Sequence, residues 1–494
     1  METADLKDRT IRGGAARISA LAAGSLIRVV SMMILARLLE PRDFGMLGMV
    51  TAFTGVLALF RDFGLSTATV QRATITKEQT STLFWINILA GAVLTIITLV
   101  SAPLVANFYH EPQLLSITAV VSIGFLINGA SVQHSALLQR NMRFTTLAVI
   151  DLASLTVSTM AAIAAARAGL GYWSLVMMTL SIPVTIAVGV WLTAGWIPGA
   201  PRRGFGIRSM LRFGSTLTLN GLVLHIAFNL DKILLGRFWG ADAIGLYGRA
   251  YQLSRIPTDS LNSAVGDVAF SALSRIQEDP VRLRHYFLRG YTLVLTFTLP
   301  ITAACALLAD DVVYVMLGPK WKAAAPIFHL LAPTILVFAI ANPLGWLLNA
   351  LGLAGRGLRI SLVLAPLMAI AYVVGLPYGP AGVALAYSAA MFLWIVPIIA
   401  WAVYGTAILF SDLVRVVSRP LMCTVVAAIL ALALRAVYAQ KFSPLPRLVL
   451  DCTVFFSTYF VLLLYVAGQK ALFLDLLHTW KKPAPDGHKS LASA

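Results

Sequence analysis

Residues 82–107 read TLFWINILAGAVLTIITLVSAPLVAN, a run of twenty-six with no charged side chain. Coiled as an α-helix this run is about 39 Å long, more than the roughly 30 Å of bilayer hydrocarbon. Its apolar residues are continuous and do not alternate with polar ones, which excludes a strand of a transmembrane barrel. Comparable runs fill the rest of the 494-residue chain, which is 59% hydrophobic and 12% charged, with a mean hydropathy of +0.83. Soluble domains carry roughly 25% charged residues because their surfaces face water. Lipid is therefore the solvent, and each spanning backbone group has to be satisfied inside its own helix.

The apolar runs and the breakers between them predict helices near 17–39, 46–70, 82–107, 114–137, 146–167, 172–195, 212–236, 244–272, 288–309, 326–350, 358–376, 381–405, 417–438 and 448–467. Their ends are fixed only to within several residues. The expectation is an all-α polytopic membrane protein of about fourteen transmembrane helices with short loops. Residues 1–16 are charged and precede no small-residue cleavage site, so they are expected to be a cytoplasmic lead-in, not a signal peptide. A formal net charge of +17 is compatible with nucleic-acid binding, but its distribution points to topology. With the N-terminus inside, twenty-four of the 38 Lys and Arg fall in inner stretches, nine in outer ones and five within helices. The inner groups include Lys7, Arg9, Arg12 and Arg17, then Arg202, Arg203, Arg208 and Arg212, and at the end Lys470, Lys481, Lys482 and Lys489. Such a bias places both ends in the cytoplasm. Cys305, Cys423 and Cys452 lie in apolar runs and read as small packing residues, with no disulfide or metal-ligand spacing.

Residues 35–48, LARLLEPRDFGMLG, and residues 235–248, LGRFWGADAIGLYG, share Leu35/Leu235, Arg37/Arg237, Gly45/Gly245 and Gly48/Gly248 at identical offsets. Each segment ends an outward helix and opens the next inward one. The displacement of 200 residues covers six predicted helices, an even number, so the halves are parallel repeats. Transporters built this way hold substrate between their halves. The predicted organisation is a lead-in (1–16), a six-helix bundle (17–195), a cytoplasmic linker (196–211), a second six-helix bundle (212–405), two further helices (406–470) and a cytoplasmic tail (471–494).

The segment Asn229–Pro257, NLDKILLGRFWGADAIGLYGRAYQLSRIP, resembles the signature of bacterial polysaccharide (O-antigen and exopolysaccharide) flippases. These Wzx-like proteins form part of the multidrug/oligosaccharidyl-lipid/polysaccharide exporter superfamily. ARLLEPRDFG, in the first repeat, resembles the N-terminal signature of the same family. The resemblance extends over roughly residues 10–470, and the last two helices look like the pair appended in fourteen-helix members. It implies a V-shaped pair of six-helix bundles around a central cavity. It also implies a transporter without chemical turnover, bringing an undecaprenyl-diphosphate-linked oligosaccharide from the cytoplasmic to the outer leaflet of the bacterial inner membrane. Exopolysaccharide, capsule or lipopolysaccharide biosynthesis is the implied setting. The implied partners are that lipid-linked oligosaccharide, membrane lipids, and polysaccharide polymerase and chain-length or export proteins.

Five basic residues fall inside predicted helices: Arg28, Arg61, Lys232, Arg249 and Arg255. Each would cost about 2.5–3.5 kcal/mol at a lipid-exposed helix centre, so protein, water or an anion should face them. Lys232 and Arg249 lie nearer the outer ends, where snorkelling is an alternative. Arg255, Asp259, Asn262 and Gly266 recur at spacings of four, three and four, which puts them on one helix face. That stripe reads as cavity lining, although Arg255 and Asp259 could simply pair with each other. Guanidinium groups offer forked donors that suit phosphate oxygens. Arg28, Arg61 and Arg255 are the expected core of an anionic-headgroup site, with Lys232 and Arg249 beside it. Asp62, Asp231 and Asp259 are candidate carriers of a coupling ion, H+ or Na+, and Asn262, the repeat partner of Asp62, is a candidate polar cavity residue. Asp231 and Lys232 are adjacent and diverge by about 100° on a helix, so each should have another partner. Asp310 and Asp311 read as a solvated helix end. Pro183, Pro300, Pro333, Pro343, Pro366 and Pro397 are expected to kink their helices.

RDFG at 42–45 and 61–64 lacks the companion loops of a kinase, no Walker A sequence occurs, and the histidines form no metal motif. No cofactor is expected beyond the coupling ion. The competing same-fold readings are a peptidoglycan-precursor (lipid II) flippase and a drug/cation antiporter. A membrane polysaccharide polymerase or ligase would typically need a sizeable external loop, which the predicted topology lacks.

Overall fold

A computed structural model of the chain describes residues 22–61, 66, 69–70, 75–201, 228–438 and 442–470. Among these residues every regular element is a helix. Residues 22–38 form α1, followed by α2 (Pro41–Ala58), α3 (Lys77–Tyr109), α4 (Gln113–Arg140), α5 (Phe144–Arg167) and α6 (Tyr172–Ala194). Then come α7 (Leu230–Arg275), α8 (Pro280–Leu307), α9 (Ala309–Leu317), α10 (Ala324–Leu331), α11 (Pro333–Ala350), α12 (Ala354–Gly375), α13 (Gly379–Val403), α14 (Phe410–Tyr438) and α15 (Pro444–Val461). Nine stretches among the described residues are long and apolar enough to cross a membrane, and one of these, Ala354–Val403, is α12 and α13 joined by a 3-10 turn. The chain is an all-α, multi-pass membrane protein.

Element ends follow from local chemistry. The sequence suggests that the second helix begins near residue 46, yet α2 starts at Pro41. Pro41 occupies the first helical turn, where its missing N–H costs nothing. Glu40 and Asp43 form a capping box, with the Glu40 N–H donating to Asp43 Oδ2 at 3.0 Å. Thr76 and Gln79 cap α3 in the same way. α2 also stops early, at Ala58, and Arg61 lies in the bend that follows, not at the centre of a helix. The charged Arg61 is a poor continuation of a lipid-embedded helix. The long α7 contains a break at Gly240, whose φ of 80° is open to glycine without steric cost. Its two arms are the predicted helices on either side of the second-repeat turn. Pro183, Pro300, Pro343, Pro366 and Pro397 sit inside helices, whereas Pro333 begins α11 directly after Ala332, whose backbone stays helical.

Large side chains such as Leu192, Leu393 and Val437 are exposed, as expected of a surface solvated by lipid. The main buried cluster is continuous from α1 and α2 through both arms of α7 to α13. α14 and α15 have a cluster of their own against α8, built from Ala304, Cys423, Ala427, Ala431, Phe455, Tyr459 and Leu463. The three cysteines are free, as packing residues should be.

Asp311 contradicts its reading as a solvated helix end. It is 1% exposed and receives Arg435 Nη2 at 2.7 Å and Arg447 Nε at 3.1 Å, with a further contact from Arg447 Nη2. Arg435 also faces buried Asp451 at 3.3 Å. This two-acid, two-base network pins α14 and α15 to α9. At the other end of α14, Arg284 makes a forked contact with Asp412 at 2.8 and 2.7 Å.

Candidate functional site: a cationic cavity closed at one end by paired glycines

The two repeat turns meet face to face. A Cβ placed on Gly45 would lie 1.7 Å from the carbonyl oxygen of Ala241, and one on Gly245 would lie 1.9 Å from that of Pro41. Residues 200 apart therefore make the same contact in reverse, helix start against helix start, and only glycine lets the backbones approach this closely. Arg37 and Arg237, also repeat partners, both reach across the halves. Arg37 Nη2 donates to Val315 O at 2.8 Å, and the Arg237 guanidinium lies 5.7 Å from the centre of the Phe108 ring. Trp321 Nε1 donates to Ala36 O at 2.7 Å, and its ring meets Phe44 edge-on at 5.3 Å. Together these contacts seal the end that the charge distribution assigns to the outside.

Immediately behind the seal lies a cavity of about 670 Å³, within the range of about 300–1,000 Å³ typical of ligand sites. One wall is the first half of α2: Phe44, Leu47, Gly48 and Thr51. Facing it are both arms of α7, with Lys232, Arg249, Gln252, Arg255 and Asp259 among the lining residues, while α11 adds Phe338 and Asn342. Gly248, Gln252, Arg255 and Asp259 follow one another at helical spacing, so the polar stripe anticipated from Arg255 and Asp259 extends toward the seal.

Each cation is held in a different way. Lys232 Nζ donates to Asn229 Oδ1 at 2.8 Å and lies 5.5 Å from the centre of the Tyr251 ring. Arg255 pairs with Asp259 at 2.8 Å and stacks on Phe338 at 4.2 Å. Arg249 donates to Gln252 Oε1, and its guanidinium sits 4.0 Å from the centre of Phe44 across the interface between the halves. The Lys232 ammonium turns to Asn229, whereas the Asp231 carboxylate stays with the backbone of Lys232. Asp231 is 1% exposed beneath the cavity wall, beside the packed rings of Tyr247, Tyr251, Tyr372 and Tyr387, and its Oδ1 accepts the Lys232 backbone N–H at 2.8 Å.

The structure brings Lys232, Arg249, Arg255 and Asp259 together. Arg28 is exposed on α1, and Arg61 is exposed in the bend after α2 with Nη1 3.5 Å from Asn128 Oδ1. Neither lines this cavity. Asn262 lies further along α7, where its Oδ1 accepts Trp346 Nε1 at 3.0 Å in a separate crevice. Asp62 lies outside the described residues. Among the described residues no cluster of His, Cys, Asp or Glu could hold a metal ion.

A family profile described as polysaccharide biosynthesis protein matches residues 34–326, a range that contains both repeat turns and the whole cationic wall. The chain belongs to this family. It is 26% identical over 353 residues to the lipopolysaccharide biosynthesis protein WzxC of Escherichia coli (strain K12), covering 70% of each chain. Teichuronic acid biosynthesis protein TuaB of Bacillus subtilis (strain 168) is 27% identical over 343 residues, 67% of this chain and 69% of that one. Among solved structures, the lipid II flippase MurJ in an inward closed conformation superposes with a TM-score of 0.73 at 13% identity, over 94% of this chain and 100% of that one. A multidrug resistance MATE family transporter of the MOP superfamily gives 0.62 at 14% identity, over 81% and 99%. The chain is similar to WzxC in sequence and to a transporter of the MOP superfamily in fold, and its two quoted signatures mark the turns that form the seal.

Sequence reasoning missed Phe44, Asn229, Gln252, Phe338 and Asn342, which line the cavity. Asn229 and Gln252 lie inside the signature segment, and Gln252 falls four residues from Gly248 on the same face, which is the signal that was available. Phe338 and Asn342 carry no such signal, because an aromatic or amide in an apolar helix is ordinary packing until its neighbour is known.

Proposed function

We propose that this membrane protein turns an undecaprenyl-diphosphate-linked oligosaccharide from the cytoplasmic to the outer leaflet of a bacterial inner membrane by alternating access, without chemical turnover. The observation that carries the reading is the cavity wall, where three cations, Lys232, Arg249 and Arg255, stand against one carboxylate, Asp259. A diphosphate diester carries about two negative charges, which that excess matches, and guanidinium forks suit its oxygens. The headgroup and first sugars would enter the cavity while the prenyl chain stays in lipid. With the glycine seal shut at the outer end, this is the state that loads from the cytoplasm. Arg28 and Arg61 are retained as candidates for the approach path. For coupling we favour Asp231 as the carrier of H+ or Na+, because its carboxylate is buried beside the cation wall and, among the described residues, no Lys or Arg lies within ion-pair distance of it.

The test is complementation of a deletion strain, with lipid-linked oligosaccharide assigned to its leaflet. Lys232→Ala and Arg255→Ala should trap it on the cytoplasmic side. Full export by both variants at normal expression would overturn the reading.

A further inference from the structure

The glycine seal is symmetric, but one contact across it is not. Arg249, in the second half, rests its guanidinium on Phe44 of the first half, and Phe44 is the residue immediately before Gly45. In repeat register Arg249 corresponds to Met49 and Phe44 to Ile244, so the reciprocal pair carries no charge. Arg249 also lines the cavity, and among the described residues its partners are a π face and the Gln252 amide, with no carboxylate in an ion pair. A cation stacked on a ring is held far less strongly than one forked onto a phosphate. The same guanidinium therefore has a weak partner that belongs to the seal and a free side that belongs to the cavity.

We propose that Arg249 is the residue through which an anionic headgroup opens the outer seal. A prenyl diphosphate drawn in by Lys232 and Arg255 takes the Arg249 guanidinium off Phe44, which removes that charged contact between α2 and α7 at the seal. Ligand in the cavity thereby weakens the closed state. This rests on the reading of the cavity as a diphosphate site. Arg249 is a positioning residue in this role: it converts occupancy into a change in the population of open seals. A ligand shifts a two-state equilibrium only through such a difference in contacts.

The test uses full-length protein in nanodiscs, with the three native cysteines replaced and spin labels at Leu38→Cys and Phe238→Cys, exposed repeat partners that flank the two turns. Farnesyl diphosphate is the probe and farnesol the uncharged control. Farnesyl diphosphate should raise the ratio of long to short interlabel distances about fivefold to thirtyfold, the span of one lost cation–π contact, and farnesol should not. Phe44→Leu and Arg249→Met should each raise that ratio without ligand and abolish its response to ligand. If Arg249 served structure alone, the variants would raise the ratio yet keep the response, and that result overturns the proposal. Binding of farnesyl diphosphate is measured in parallel by calorimetry. Binding without any change in distance in the unsubstituted protein refutes the link alone, whereas absence of binding refutes both the link and the diphosphate reading of the cavity.

Discussion

Gly45→Ala adds a single methyl group at the tightest point of the seal, which the charge distribution assigns to the outer side. The new carbon would lie 1.7 Å from the Ala241 carbonyl oxygen, against about 3.5 Å for an ordinary contact. The starts of α2 and of the second arm of α7 must then part by about 2 Å. That cost falls on the closed state alone, since the two backbones separate when the seal opens. Overpacking of this kind costs roughly 1–3 kcal/mol, and 2 kcal/mol moves a two-state equilibrium about thirtyfold. Gly290→Ala, which meets nothing within 4 Å, is the matched control. In a protein with its native cysteines replaced, Thr51→Cys places a reporter on the cavity wall behind the seal. Alkylation of that thiol by a membrane-impermeant maleimide added outside should be on the order of thirtyfold faster with Gly45→Ala and unchanged with Gly290→Ala. Equal rates in all three proteins would show that the glycine contact does not govern access from outside. Gly245→Ala, whose Cβ meets Pro41, should repeat the Gly45→Ala result.

The cavity makes further predictions. Arg255→Ala removes a charged contact worth about 1.5–3 kcal/mol and should lower flipping about ten- to hundredfold in proteoliposomes, with Arg255→Lys in between. Asp259→Asn frees Arg255 from its ion pair and should tighten binding of farnesyl diphosphate, measured by calorimetry; weaker binding would contradict the role given to the pair. Asp231→Asn should leave that binding intact while removing the response of flipping to an imposed H+ or Na+ gradient. Away from the cavity, Asp311→Asn leaves Arg435 and Arg447 without their shared acceptor and should cost about 3–5 kcal/mol, seen as a lower melting temperature in detergent; an unchanged melt would refute a structural role for the network.

The helices were legible because a lipid solvent leaves long apolar runs that no other fold tolerates. Their ends were less so: Pro41 reads as part of an external turn until its capping partners Glu40 and Asp43 are counted with it. The repeat was visible as Gly45/Gly245, but its meaning was not, since a reciprocal backbone contact needs the two halves in place. Asp311 was misread for a related reason. Its partners Arg435 and Arg447 lie 124 and 136 residues away, so nothing local distinguishes it from a solvated carboxylate. The basic residues stand out one by one in the sequence as anomalies in lipid. Spacing on a single helix could group Arg255 with Asp259, but it could not join Lys232 to Arg249 across the break at Gly240, or show that Arg28 and Arg61 lie away from that cavity.

Parallel repeats give this protein a symmetric way to close, and its charges are arranged to break that symmetry. In repeat register Lys232, Arg249 and Arg255 correspond to Met32, Met49 and Gly55. The cationic wall therefore belongs to one half, while the first half offers Phe44, Leu47, Gly48 and Thr51. Had both halves carried the cations, a bound anion would bridge them, and each charge-assisted contact would have to break before the seal could part. With the charge on one side, an anion can stay bound to α7 while α2 moves away, so tight binding and opening do not oppose each other. On the proposed function, this lets one cavity hold a diphosphate strongly enough to bring it out of the inner leaflet and still release its grip on the opposite wall. The Arg249–Phe44 stack is the contact across the divide in which a cavity cation takes part, and it is the one that a headgroup in the cavity is placed to undo.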